Sequence, residues 1–217
     1  MRFTLDELDP QIGYKLMTAT VTPRPIAWVT SLSAAGVVNA APYSFFNVMG
    51  HKPPTVAIGV MADDKRGFKD TSRNIVAGGE FVVNLVPERL AGRMNITSMD
   101  APSDVSELDC AGLTPLASAR VAPPHIAEAP VSFECVSHTV LVTGPHQALV
   151  VGRVVEIRVA DEFVLDANRG HIDTPALGLI ARMHGRGWYA RSQDTFQIDR
   201  PTYAEWQAAQ TKLGEKV

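Results

Sequence analysis

PIAWVTSL, from Pro25 to Leu32, is the stretch on which the fold turns. It is rich in β-branched and aromatic residues and reads as a strand. Ser33-Ala34-Ala35-Gly36 reads as its turn, and Val37 to Ala41 as a returning strand that Pro42 confines to an edge or an end. Two apolar runs of strand length follow, Thr55 to Met61 (TVAIGVM) and Glu80 to Val86 (EFVVNLV). Val131 to Thr143 and Ala148 to Val159 flank the turn Gly144-Pro145-His146 and predict a long antiparallel hairpin. Short helices punctuate the strands. One is capped by Asp70 or Thr71 and closed by Gly78, one opens at Pro87 and runs through Arg89, Leu90 and Met94, and one spans Ser103 to Cys110 before Gly112. At the tail, Thr202-Tyr203-Ala204-Glu205 is a capping box, with Tyr203, Trp206 and Leu213 on an approximate apolar face that packs on the barrel or a second subunit. The expected fold is mainly β: a closed or split β-barrel with peripheral α-helices, one domain over residues 1–217 with a C-terminal helix at about 201–214.

The 217 residues, 46% hydrophobic and 20% charged, exclude a disordered or coiled-coil chain. A net charge of −3 leaves no basic field for nucleic acid and no polybasic run for a membrane surface. Asp6 and Glu7 stand where a signal peptide has its apolar core, so no export signal is read and a cytoplasmic location is expected. Cys110 and Cys135 lack Cys-x-x-Cys spacing and read as two reduced, mostly buried thiols. Between Arg24 and Lys52 there is no charge if His51 is neutral. Ser31, Ser33, Asn39, Ser44 and Asn47, with Pro25 and Pro42, make that run a poor membrane helix. It suits strands whose polar side chains line a neutral site.

Standard catalytic motifs are missing: no Gly-x-Gly-x-x-Gly after a strand, no P-loop, no Gly-x-Ser-x-Gly and no His-Glu-x-x-His. The six histidines stand far apart, and no metal site is expected. What remains is polar and aromatic. Thr30 and Ser31 end the first strand, Ala41 to Asn47 mixes aromatic and amide groups, and Lys69-Asp70-Thr71 opens a helix. There a cation, hydroxyls and unpaired N–H groups can hold a phosphate. Each feature also has an ordinary structural reading. Thr30 and Ser31 can be plain strand residues, Lys69 and Asp70 a solvated pair worth about 0–1 kcal/mol, and Thr71 a helix cap. Arg24, between two prolines, presents its guanidinium to a partner subunit or a phosphate, or is a solvated turn charge.

Taken together, Pro23-Arg24-Pro25-Ile26-Ala27-Trp28-Val29-Thr30-Ser31, Asn39-Ala40-Ala41-Pro42-Tyr43-Ser44-Phe45-Phe46-Asn47, Pro53-Pro54, Lys69-Asp70-Thr71-Ser72-Arg73-Asn74-Ile75 and Glu80-Phe81-Val82-Val83-Asn84-Leu85 resemble the flavin reductase-like FMN-binding split-barrel family. The likeness is strongest to its flavoredoxin and monooxygenase reductase-component branch. Ala181-Arg182-Met183-His184-Gly185 and Trp188-Tyr189-Ala190-Arg191 add a weaker echo, while Ala101 to Pro130 carries no motif.

The resemblance implies a Greek-key split β-barrel, a homodimer, and FMN near the subunit interface reduced by NADH or NADPH. Carried over by position, it sets Thr30 and Ser31 along the flavin and ribityl chain. Ser44, Phe45 and Asn47 contact ring or ribityl groups, and Lys69 and Thr71 hold the phosphate with Asn74 in support. Arg182 and His184, the candidate catalytic residues, approach from the later segment. A lone histidine such as His184 is more often structural, and Trp188 and Tyr189, which could cover the flavin, are more often core or interface packing. The acceptor implied is flavin, oxygen or another small molecule, with a monooxygenase as a possible partner. Two other readings remain: a non-catalytic flavin or haem carrier on the same barrel, and an enzyme like pyridoxine-phosphate oxidase on a related barrel. FMN performs the redox chemistry itself, so the missing triad is expected.

Overall fold

The structure, a computed structural model, describes residues 1–63 and 67–214. Seven antiparallel strands make the main sheet: β1 (Ala27–Leu32), β2 (Val38–Tyr43), β3 (Phe46–His51), β4 (Pro54–Asp63), β5 (Glu80–Asn84), β6 (Val131–Gly144) and β7 (Gln147–Val159). Their order is β2-β1-β5-β6-β7-β4-β3, and a short strand, Gly67–Phe68, adds to β4. The expected hairpin is present, with Gly144 facing Gln147 across the turn. Pro42 lies on β2, an edge strand, where its missing N–H costs no ladder bond.

The two edges are consecutive in the chain. Ser44 and Phe45 lead from β2 directly into β3, and the Phe45 carbonyl accepts from Gly59 N–H of β4 at 2.7 Å. The sheet therefore folds round on itself, and residues 44–45 form its seam.

Alternation along β1 divides the core. Ala27 and Val29 face the barrel interior with Val56, Ile58, Phe81, Val83 and Val150. Ile26 and Trp28 face outward onto Leu90 and Met94, beneath the helix α3 (Ala91–Ile96), and onto Leu108. Both faces are covered, so Ile26–Val29 reads as an unbroken apolar run, and the hydroxyls of Thr30 and Ser31 that follow are buried as well. Trp28 Nε1–H donates to Thr97 Oγ1 at 2.9 Å, which pins α3 to the barrel.

Gly152 of β7 lies directly under the Phe81 ring, with no room for a Cβ. Gly152→Ala is expected to cost about 1–3 kcal/mol, read as a lower denaturant midpoint. An unchanged midpoint would mean that Phe81 can swing aside.

The helices correct several expectations. In α2 (Asp70–Gly78) the N-cap position is Lys69, not Asp70 or Thr71, and no side chain caps it. Gly79, at φ +71°, closes α2 in place of Gly78, because the left-handed turn falls one residue later. Glu88–Leu90 is a 3-10 turn leading into α3. α4 is only Glu107–Cys110. α1 (Pro10–Thr20) was not anticipated, though Asp9, accepting from Gln11 N–H at 2.7 Å, and Pro10 are ordinary start signals.

The tail helix α5 (Tyr203–Gly214) has its capping box, with Glu205 N–H to Thr202 Oγ1 at 3.2 Å and Thr202 N–H to Glu205 Oε2 at 2.7 Å. Trp206 is half exposed and stacks on Tyr203, and the Leu213 side chain lies outside the described residues. Cys110 is exposed, against expectation, because α4 turns it away from Leu108. Cys135 is buried in the barrel, which pushes its thiol up to about 12. No helix among the described residues is long and apolar enough to cross a membrane.

Candidate functional site

A cavity of about 480 Å³ opens beside the barrel seam. Ser44 and Phe45 of the seam line it, as do Asn39 and Tyr43 of β2, Tyr14 of α1, Lys69, Asp70 and Thr71 at the start of α2, residues 97–103, and Glu107 of α4. Joining sequence-distant segments here is a consequence of closure. The strand β2 ends at the seam, and α2 begins beside the same end of the barrel because Gly67–Phe68 pairs with β4.

One end of the cavity carries cations in ion pairs. Lys69 Nζ lies 3.0 Å from Asp100 Oδ1, with both groups more than half exposed. Arg73 pairs with Asp70 and donates to the Phe68 carbonyl at 3.0 Å. The wall behind is a buried polar network. Glu107, 5% exposed, accepts from Asn39 Nδ2 at 3.0 Å on each oxygen and from Ala40 N–H at 3.1 Å on Oε2. Asn39 Oδ1 accepts from Thr71 Oγ1 at 2.5 Å and Ser31 Oγ at 3.4 Å, and Ser31 Oγ accepts from Asn74 Nδ2 at 3.0 Å. Burial raises the Glu107 carboxyl above the usual carboxylate range; the Ala40 and Asn39 donors oppose this, and the Asp70 charge adds to it. Burial likewise raises the Tyr43 phenol, whose oxygen is shielded from solvent without a hydrogen bond of ordinary geometry.

The structure brings four of the expected cofactor residues to the cavity: Ser44, Phe45, Lys69 and Thr71. Ser31 and Asn74 sit behind Thr71, linked through Asn39. Thr30 does not border the cavity. It is fully buried, and its hydroxyl donates to the Pro124 carbonyl at 2.5 Å, because alternation turns it away from Ser31. Asn47 is exposed on β3, where its side chain accepts from the Val48 N–H at 2.8 Å. Arg182 and His184 also lie off the cavity lining: Arg182 packs over the Tyr189 ring at 4.9 Å, and His184 stacks on the exposed Trp188 at 6.1 Å.

Both readings of Arg24 are corrected. It is 7% exposed and bonds the Thr18 and Val21 carbonyls at 2.7 Å each and the Met183 carbonyl at 3.0 Å. It ties the end of α1 to the chain at Met183, next to Ala181–Arg182, with which Arg24–Pro25 pairs as a short antiparallel strand. Sequence reasoning missed Glu107 and Tyr14 as cavity residues. Neither belongs to a motif, and only chain closure places them there. Among the described residues no group of three or more His, Cys, Asp or Glu side chains could hold a metal.

The residues present fit a phosphate-bearing planar cofactor. The first N–H groups of α2 have no side-chain cap, Lys69 is at their mouth, and Phe45 and Tyr43 supply ring surface. Solved structures with this architecture include nitrilotriacetate monooxygenase component B from Bacillus cereus: TM-score 0.86, 34% identity, 91% of this chain and 98% of that one covered. They also include Pseudomonas fluorescens 2-nitrobenzoate 2-nitroreductase NbaA, at TM-score 0.84 and 33% identity over 94% of this chain and 98% of that one. An uncharacterized protein of Deinococcus radiodurans is 42% identical over 211 residues, covering 94% of this chain and 92% of that protein. The family model described as flavin reductase like domain matches residues 18–174, which takes in the seam, the Lys69-Thr71 corner and the long hairpin. The chain therefore belongs to the flavin reductase-like domain family and has its split-barrel fold.

Proposed function

We propose that this protein is an FMN-binding oxidoreductase that takes hydride from NADH or NADPH and delivers electrons to flavin, oxygen or another small acceptor. The observation that carries this reading is one cavity in which Ser44 and Phe45, from the uncharged strands, meet Lys69 and Thr71. FMN, when bound, supplies the hydride-accepting ring. Lys69 and the N–H groups at the start of α2 hold the phosphate, Ser44 and Phe45 flank the ring end, and the Asn39–Glu107 network holds Thr71 in place. Thr30 supports β1 from the core. Arg182 and His184 are assigned no catalytic step by this geometry.

The proposed assembly is a cytoplasmic homodimer. It is supported by apolar side chains that the hairpin leaves more than half exposed, Leu141 and Val142 near its turn and Ile157 toward its other end. The two solved relatives named above act in different settings, a monooxygenase system and nitro-group reduction, so either a monooxygenase partner or a small aromatic acceptor is compatible with this barrel.

The test is an absorption spectrum of the purified protein followed by anaerobic titration with NADH and NADPH. The expected result is a yellow protein bleached by at least one nicotinamide and re-oxidised by air. A yellow protein inert to both would establish a carrier instead, and a Soret band would replace FMN with haem.

A further inference from the structure

Glu107 enters the cavity wall from a segment without a motif, and it constrains every polar group behind Thr71. An ionised carboxylate only accepts hydrogen bonds. With Asn39 3.0 Å from both its oxygens, Glu107 draws the amide nitrogen toward itself and turns the amide oxygen toward Thr71 and Ser31. An amide oxygen also only accepts. The Thr71 hydroxyl at 2.5 Å must therefore direct its hydrogen to Asn39. Only its lone pairs remain for the cavity, and lone pairs repel an anion.

A proton on Glu107 reverses this polarity. The acid's O–H then donates to Asn39 Oδ1, the amide turns over, its Nδ2 donates to Thr71 Oγ1, and the Thr71 hydrogen is released. The other Glu107 oxygen keeps the Ala40 N–H. We propose that Glu107 is a positioning residue for the anion-binding end of the cavity, and that binding of a phosphate ester there takes up one proton at Glu107 through turnover of the Asn39 amide. The inference rests on reading this cavity as the FMN site. The charged and titratable groups facing Glu107 are consistent with a proton there. Asp70 adds negative charge beside it, Tyr43 is buried nearby, and the rim cations Lys69 and Arg73 are engaged with Asp100 and Asp70. Burial has already raised the Glu107 carboxyl.

Fluorescence titration of the full chain with FMN, from pH about 5 to about 9, tests the proposal. Riboflavin, which lacks the phosphate, is the second ligand. FMN affinity is expected to fall by up to about tenfold per pH unit above the Glu107 pKa, while riboflavin affinity stays flat. Glu107→Gln reproduces the protonated arrangement, since its amide oxygen accepts from Ala40 and its amide nitrogen donates to Asn39. It is expected to bind FMN with no pH dependence beyond the phosphate's own ionisation near pH about 6.

Thr71→Val keeps the side-chain shape and removes the hydroxyl. It is expected to bind FMN more weakly with the same flat profile, so the proposal stays testable even if Glu107→Gln does not fold. FMN binding with the wild-type slope in either variant would overturn the proposal, as would an equal slope for riboflavin. No FMN binding by the wild type at any pH would overturn the FMN reading and this proposal with it.

Discussion

Glu134→Ala is expected to lower the free energy of unfolding by about 3–5 kcal/mol. Glu134 lies on β6 and is 1% exposed. Its oxygens accept from the N–H of Ala119 at 2.8 Å, the N–H of Arg120 at 2.6 Å, and His125 Nε2 at 2.7 Å. Alanine would orphan these three donors. A buried donor without a partner costs about 1–3 kcal/mol. The carboxylate is therefore a main anchor of residues 118–126, beside Glu80, which accepts from Ala122 N–H, and Asn84, which accepts from Ile126 N–H, and this segment includes the Pro124 carbonyl that receives Thr30. Denaturant unfolding followed by circular dichroism is the measurement. A loss under about 1 kcal/mol would mean that water replaces the carboxylate.

The same residue fixes a pH dependence. Burial pushes the Glu134 carboxyl up, but the Ala119, His125 and Arg120 donors outweigh it and hold the group below the usual carboxylate range. A depressed folded-state pKa means that the unfolded chain binds the proton more tightly. The stabilisation is thus complete above the ordinary carboxylate range and is lost as pH falls through the folded value. Wild-type stability should drop along that acid limb, and Glu134→Ala should lack this step.

Lys69→Ala is expected to weaken FMN binding by roughly ten- to hundredfold, the worth of one charge-assisted hydrogen bond. The melting temperature of the cofactor-free protein should hardly change. Lys69 is half exposed, and its partner Asp100 is too, so their ion pair adds little to stability. A phosphate entering the cavity takes Asp100's place on the ammonium. FMN affinity should therefore fall with added salt in the wild type, and less steeply in the variant. Equal FMN affinity in the two proteins would remove Lys69 from the phosphate site. A lower melting temperature with unchanged affinity would make it a structural residue.

These predictions differ in how far the sequence foreshadows them. Lys69 was visible because a cation beside a helix start has a local meaning. Glu134 and Glu107 were not visible. Each is one acid among many until the fold buries it, and its partners lie at Ala119, Arg120 and His125 or at Asn39 and Ala40. Thr30 shows the opposite failure. It sits next to Ser31 in a convincing motif, yet a strand sends neighbouring side chains to opposite faces, and Thr30 bonds Pro124 while Ser31 joins Asn39.

Local chemistry alone determined the strands Ala27–Leu32, Val38–Tyr43, Pro54–Asp63 and Glu80–Asn84, the long hairpin, the turn at Gly36, the edge position of Pro42 and the tail capping box, because each depends on residues adjacent in the chain, whereas Phe46–His51 was not read as a strand and is one only through its pairing with β4. The family likeness was carried by short runs of the same kind. Only the tertiary structure decided that residues 44–45 close the barrel, that Lys69 and Thr71 meet Ser44 and Phe45 across one cavity, and that Arg24 is a buried tie. Those outcomes depend on contacts between segments tens of residues apart, and no local preference encodes the distance between them.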